Sequence, residues 1–403
     1  MYSKLSVAAV LACCAGGAWA QSSVSIYGIA DAGYVHESGG KNGSVNKITS
    51  GTGSTSRIGF RGSEDLGDGM SVFFTLENGH RLDTGEVDAS GTIFNRQAFV
   101  GLKTRAGALS LGRQYTAWHQ ALTQVGDPFG TGYAGGSKNL FADYGSNVRT
   151  SNTVLYASPV MRGFSGDLAY SFGEQPGSSK AGRQYGASVG YSAGPLNVRL
   201  VYNNKNSDVA AAPGVTPVNR GNGSNKLLAA NYDFKLFKAH LAFSVDKGFN
   251  SAPLGNNSNP YGGVAPTAST DGNSLLLGAV VRAGPGNVVV TFQRKDDKTA
   301  FDQDARAYGV GYLYLLSKRT TLYTVYGVID NKNGAGYTVA NNSESGSGDR
   351  AFNLGVRHTF YGAAASASCA GQRATSMPVG VAAEKASATK STNVRTRAAV
   401  CNW

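Results

Sequence analysis

Residues 183–204 read RQYGASVGYSAGPLNVRLVYNN. Before the Gly194-Pro195 pair, Tyr185, Ala187, Val189 and Tyr191 fall on one side, and Gln184, Gly186, Ser188, Gly190 and Ser192 on the other. After it, Leu196, Val198, Leu200 and Tyr202 oppose Asn197, Arg199 and Asn203. A two-residue period on both sides of a Gly-Pro turn describes two antiparallel strands, each apolar on one face only.

The same pattern recurs along the chain. In VSIYGIADAGY (24–34) the even positions carry Val24, Ile26, Ala30 and Tyr34, and in KAHLAFSVDKG (238–248) Leu241, Phe243 and Val245 oppose His240, Ser244 and Asp246. In DRAFNLGVRHTF (349–360) Phe352, Leu354, Val356, His358 and Phe360 share one face. The connections alternate in length. Short turns fall at 64–69, 105–107, 159–163, 194–195, 284–286 and 318–319, and long polar stretches at 37–50, 80–92, 119–151, 207–225, 250–271 and 332–348. About sixteen strands with one short-turn end and one long-loop end describe a transmembrane β-barrel. A β-sandwich would show the same alternation strand by strand. The strand number, and tyrosines on the apolar face near strand ends (Tyr308, Tyr312, Tyr314), favour the barrel.

Composition agrees. Glycine is high, at 55 of 403 residues, and only 15% of residues are charged. No apolar run is long enough for a transmembrane helix. Residues 1–20 read as an export signal: Lys4, the apolar run LSVAAVLACCAGG, then Ala18-Trp19-Ala20 before Gln21. Cys13 and Cys14 leave a lipoprotein anchor as the alternative, although Val10-Leu11-Ala12 is a poor lipobox. The other two cysteines are Cys369 and Cys401, so the stretch between signal and tail is built without disulfides. The formal charge of +12 favours anionic partners, but it is spread out, and an exported chain without a basic stripe is not a nucleic-acid binder.

No enzyme motif stands out: GxSxG, HExxH and a P-loop are all absent. No cofactor or metal is expected, and Glu64-Asp65 and Asp296-Asp297 read as solvated charge at turns. The run 119–151, HQALTQVGDPFGTGYAGGSKNLFADYGSNVRTS, has no strand period, yet keeps Phe129, Tyr133, Phe141 and Tyr144. A structureless stretch of this length is functional or disordered. Its aromatics favour a folded loop, turned into the barrel lumen to narrow it. Parity gives the first lumen residues. Ile58 and Phe60 take the outer face, so Arg57 and Arg61 point inward. Val72, Phe74 and Leu76 face out, so Glu77 points inward with Phe73 and Thr75. Arg113 shares parity with Leu109 and Leu111 and faces out, where an arginine at mid-depth in lipid would cost about 2–4 kcal/mol. It must therefore lie near an interface or meet a partner.

Several blocks in fixed order carry a resemblance: QSSVSIYGIADAGY (21–34), SRIGFRGSEDLGDGM (56–70), NRQAFVGL (95–102), LGRQY (111–115), DPFGTG (127–132) and a last strand ending on Phe360. The chain resembles the trimeric general porins of Gram-negative outer membranes over residues 21–360. The resemblance implies an all-β, 16-stranded antiparallel transmembrane β-barrel with an inward-folded constriction loop, assembled as a homotrimer in outer-membrane lipid and passing small hydrophilic solutes and ions. It places Arg57, Arg96 and Arg149 on the barrel wall at the constriction, where parity has already turned Glu77 inward, with Asp127 on the opposing loop. In the family the second external loop, here 80–92 with Glu86 and Asp88, latches onto the neighbouring subunit, and Arg113 is the candidate for that trimer contact. Phe360 corresponds to the terminal residue read by the outer-membrane insertion machinery. Residues 361–403 depart from the pattern: rich in Ala, Ser and Thr and without strand period, they read as a disordered extension, either a shifted or read-through frame or a true periplasmic tail. The function expected is passive diffusion with a preference for anions. The alternatives are a substrate-selective porin for organic anions or sugars, and an exported β-sandwich adhesin.

Overall fold

The computed structural model describes residues 23–138, 140–143, 145–248 and 271–361. The signal assigned to 1–20, the loop assigned to 250–271 except Asp271, and the extension assigned to 361–403 except Tyr361 lie outside the described residues. The strands, in chain order, are β1 (Ser23–Gly40), β2 (Gly43–Ser50), β3 (Arg57–Gly67), β4 (Met70–Gly79), β5 (Gln97–Thr104), β6 (Gly107–Tyr115), β7 (Arg149–Ala157), β8 (Phe164–Ser171) and β9 (Gln184–Ala193). They continue with β10 (Leu196–Asn206), β11 (Asn222–Asp233), β12 (Phe237–Gly248), β13 (Asp271–Ala283), β14 (Gly286–Asp297), β15 (Ala305–Leu315), β16 (Thr320–Asn331) and β17 (Arg350–Tyr361).

Every neighbouring pair is antiparallel. β1 closes the sheet on β17, with Gly28 opposite Phe360. The long β1 pairs with β3 through residues 23–29 and with β2 through 32–40, so β2 and β3 are two halves of one stave. Among the described residues, seventeen strand segments therefore make a closed barrel of sixteen staves with no free edge. The hairpin expected at 183–204 is present, with Leu196 opposite Ala193 and Leu200 opposite Val189.

The alternation also has the predicted direction. Val24, Val100, Leu200 and Leu354 are 50–65% exposed on the outside, where lipid would cover them. Asp31, Glu77, Ser110, Asn203 and Asn353, on the opposite face of the wall, are buried toward the lumen. Near the short turns an aromatic belt runs through Phe164, Tyr191, Tyr232, Phe234 and Phe237. Tyr312 and Tyr314 extend it, and Tyr312 donates its hydroxyl hydrogen to the Ala283 carbonyl at 2.9 Å.

One stretch expected as a loop, 37–50, is instead a paired hairpin. β1 runs on to Gly40 and β2 returns from Gly43. Glu37 and Lys47 face each other across it at 2.9 Å. Beyond the lipid a strand needs no apolar face, so its period disappears from the sequence while its backbone pairing continues.

Candidate functional site

The stretch 116–148 leaves the rim and fills one side of the lumen. Thr116 caps the short helix α1 (Ala117–Ala121), its side chain accepting from the His119 amide. One π-helical turn, Leu122–Gly126, follows, then a series of tight turns. Trp118, Leu122 and Phe141 are fully buried, with Phe129, Tyr133 and Leu140 close to it. They pack on inward residues of β10 to β17, among them Val201, Leu227, Ala242, Leu276, Val289 and Tyr323.

Small residues on that wall let the loop lie flat. A Cβ on Gly278 would stand 2.7 Å from Pro128 Cγ, and one on Gly309 or Gly327 would strike the backbone of Gly135 or Ala134. Hydrogen bonds pin the loop along its length. Asn231 Nδ2 donates to the Val125 carbonyl at 3.0 Å, Ser274 Oγ to Leu140 at 2.6 Å, Thr291 Oγ1 to Gly135 at 2.7 Å, and the Ala134 amide to Asn353 Oδ1 at 2.7 Å. The loop is an inner lining of the barrel and narrows it.

Opposite this lining, β1 and β3 to β7 build a cationic wall. Arg57 projects inward from the first position of β3, as parity requires, with its Nε donating to the Thr55 carbonyl at 3.0 Å and Nη2 to Ser54 Oγ at 2.6 Å. Glu77, on β4 opposite Gly59, is 2% exposed. Its Oε1 accepts from Arg96 Nε at 2.8 Å and lies 3.9 Å from Arg57 Nη1. Its Oε2 accepts from the Tyr27 hydroxyl at 2.9 Å. Arg96 also donates through Nη2 to the Tyr115 hydroxyl, which Arg149 Nη2 approaches at 3.5 Å. Arg149 Cζ stands 4.9 Å from the centre of the Tyr115 ring, and Arg61 Cζ stands 4.9 Å from that of Tyr27. Arg96 Nη1 and Arg149 Nε are buried with no hydrogen-bond partner among the described residues.

Arg57, Arg96, Arg149 and Glu77 are thus brought together. Asp127 is not brought to face them, which corrects the sequence expectation. It is 2% exposed, and its carboxylate accepts from the amides of Phe129, Thr131 and Ser137 at 2.8, 3.0 and 2.8 Å and from Ser137 Oγ at 2.7 Å. An acidic side chain in a turn-rich run satisfies nearby backbone N–H groups first. Asp127 is therefore the internal knot of the loop. Arg113 stays on the outer side, donating from Nε to the Asn95 carbonyl at 2.7 Å and from Nη1 to Ser151 Oγ at 2.9 Å. The segment 80–92 turns back on its own rim through a bridge between His80 and Val87, and Asp88 packs beside Arg96 over Gly79. Phe360 is the penultimate residue of β17.

Sequence reasoning missed Tyr27 and Tyr115, the two rings on which the arginines are arranged. Tyr27 had a signal, since it is an aromatic on the face opposite Val24 and Ile26. Tyr115 had none, because β6 ends there and the chain turns into α1, so alternation no longer fixes its direction. His119 stacks on it at 4.9 Å and 18°, and its Nδ1 lies 2.8 Å from Asp143 Oδ1.

Comparison with known proteins bears on this arrangement. Residues 6–334 match the family model described as Gram-negative porin. An outer membrane porin protein of Bordetella pertussis is 31% identical, over 89% of this chain and all of that protein. Outer membrane porin protein 32 of Delftia acidovorans is 32% identical over the same shares. Among solved structures, an anion-selective porin from Comamonas acidovorans superposes with a TM-score of 0.67 at 28% identity, covering 84% of this chain and all of the other. Closed barrel, lumen loop and sequence agree: this chain is a member of the Gram-negative porin family, an outer-membrane β-barrel and not an enzyme.

Proposed function

We propose that the barrel is a passive channel for small hydrophilic solutes and ions that prefers anions, with the 116–148 loop as its sieve. The observation that carries this is the clustering of Arg57, Arg96 and Arg149 around Tyr115 and one carboxylate, Glu77: Arg96 and Arg149 meet the Tyr115 hydroxyl, and Arg57 and Arg96 meet Glu77. Arginine keeps its charge at any working pH. Fixed charge along a narrow passage concentrates the oppositely charged ion and sets selectivity. The similarity to an anion-selective porin supports the same sign. Asp127, turned away inside the loop, supplies no opposing negative wall.

We also propose that residues 1–20 direct export, that three copies assemble with Arg113 near their contact, and that Phe360 is what the insertion machinery reads. The test of function is a planar-bilayer recording in a KCl gradient. A reversal potential on the chloride side is expected. A cation-preferring channel, or no conductance steps, refutes the reading.

A further inference from the structure

Nearer the short-turn end than the arginine wall, the lumen face has an unusual composition. Antiparallel register lines up Ser25 of β1, Arg61 of β3, Thr75 of β4 and Phe99 of β5 in one inward-facing row. The next inward residue on β4 is Phe73, and the Phe73 and Phe99 rings meet edge to face, with centroids 6.2 Å apart and planes at 76°. Val72, Val100 and Leu102 take the other face of these strands, so the two phenylalanines belong to the lumen side. Their inward neighbours are Ser63, Thr75, Gln97 and Ser110, as a wetted wall requires. Phe73 lies over Gly101, where a Cβ would strike its ring, so the wall is cut back to seat it.

We propose that this patch is a transit subsite for small aromatic carboxylates, with the ring stacking on Phe73 and Phe99 and the carboxylate held by Arg61. Staves stand about 4.8 Å apart, so two of them separate Arg61 from Phe99 by about 10 Å between Cα atoms, the span of a benzoate-sized anion reached by both side chains. The Arg61 guanidinium lies over the Tyr27 ring. A stacked guanidinium presents its N–H donors along its edge, the geometry a carboxylate takes. Arg61 is four residues along β3 from Arg57, about 13 Å along the tilted strand and about 10 Å further down the passage between Cα atoms. An anion drawn in by the arginine wall meets it next. Phenylalanines facing water offer a small inorganic anion nothing, but they offer an aromatic ring a partner with complementary quadrupole. The proposal rests on the anion preference given above and names the solute class that benefits from it.

The test uses the full-chain channel in planar bilayers. Chloride current is recorded in KCl as sodium benzoate, cyclohexanecarboxylate or acetate is added from the side of the short turns. Benzoate is expected to reduce the current along a saturating curve, cyclohexanecarboxylate more weakly, and acetate without saturation. Pairing Phe73→Leu with Phe99→Leu is expected to raise the half-blocking benzoate concentration about threefold to tenfold. Arg61→Gln is expected to raise it as well, more at low salt. Variants are compared only where heat-modifiable barrel is recovered, and the three-anion comparison in the unaltered protein stands without them. Equal behaviour of benzoate and acetate, or benzoate block unchanged in either variant, overturns the subsite. The reversal potential in KCl alone reports on the channel reading separately. A channel that prefers chloride but does not distinguish benzoate loses only this inference.

Discussion

Glu77 and Arg57 offer a test of selectivity in both directions from one geometry. Arg57, Arg96 and Arg149 against Glu77 leave the cluster with two net positive charges. Glu77→Gln raises that to three, and Arg57→Gln lowers it to one. A unit charge about 6 Å from a passing ion in water is worth about 0.7 kcal/mol before screening. At 0.1 M salt the Debye length is about 10 Å, and about 0.4 kcal/mol remains. The anion gains what the cation loses, so their local ratio changes by about fourfold per charge at 0.1 M. At 1 M, with a Debye length of about 3 Å, the change falls to about 1.4-fold. The assay is the reversal potential in KCl gradients centred on these two concentrations. Glu77→Gln is expected to move it further to the chloride side and Arg57→Gln toward zero, both mainly at the lower salt. Arg113→Gln, on the outer face, is expected to leave it in place. Glu77→Gln also removes the carboxylate that holds Arg96, which is 3% exposed, so a loss of about 3–5 kcal/mol and a lower yield of folded barrel should accompany it. Shifts of the same sign in both variants, or none at 0.1 M, would show that this cluster is not the filter.

Other expectations follow from the loop. Asp127→Ala leaves the amides of Phe129, Thr131 and Ser137 without their acceptor and should give noisy, larger conductance steps from a barrel that still forms, and steps as quiet as the parent's would count against its role as the knot. Deletion of 125–140 should admit bulkier solutes, because the staves pair without the loop; unchanged size exclusion in a folded barrel contradicts the lining role. Lys138, on the loop, donates to the Asn342 carbonyl at 2.7 Å, and burial pushes its ammonium down to about 8. It is charged below that pH and neutral above it, so anion preference should weaken between roughly pH 7 and 9. Lys138→Met should abolish that step; a step that persists assigns it elsewhere.

The barrel itself was legible in the chain. Alternation depends only on neighbouring residues and on the two media a barrel wall separates, so it survives in the sequence wherever a strand crosses lipid. It gave the 183–204 hairpin, the last strand, and the inward direction of Arg57, Arg61 and Glu77. It was silent where the wall stands in water, as at 37–50, where β1 and β2 pair without an apolar face. Resemblance added Arg96 and Arg149, which lie at strand margins where parity has little force. The tertiary structure alone decided what these charges meet. Tyr27 reaches the cluster from β1, far from Arg96 and Arg149 in the chain, Tyr115 joins it from the stave beside Arg149, and Asp127 turns inward because four donors close to it in the chain satisfy it before any arginine across the passage does. Period is a local property and can be read residue by residue. Which side chains share a partner depends on how sixteen staves and one loop close around the same space, and no local pattern encodes that.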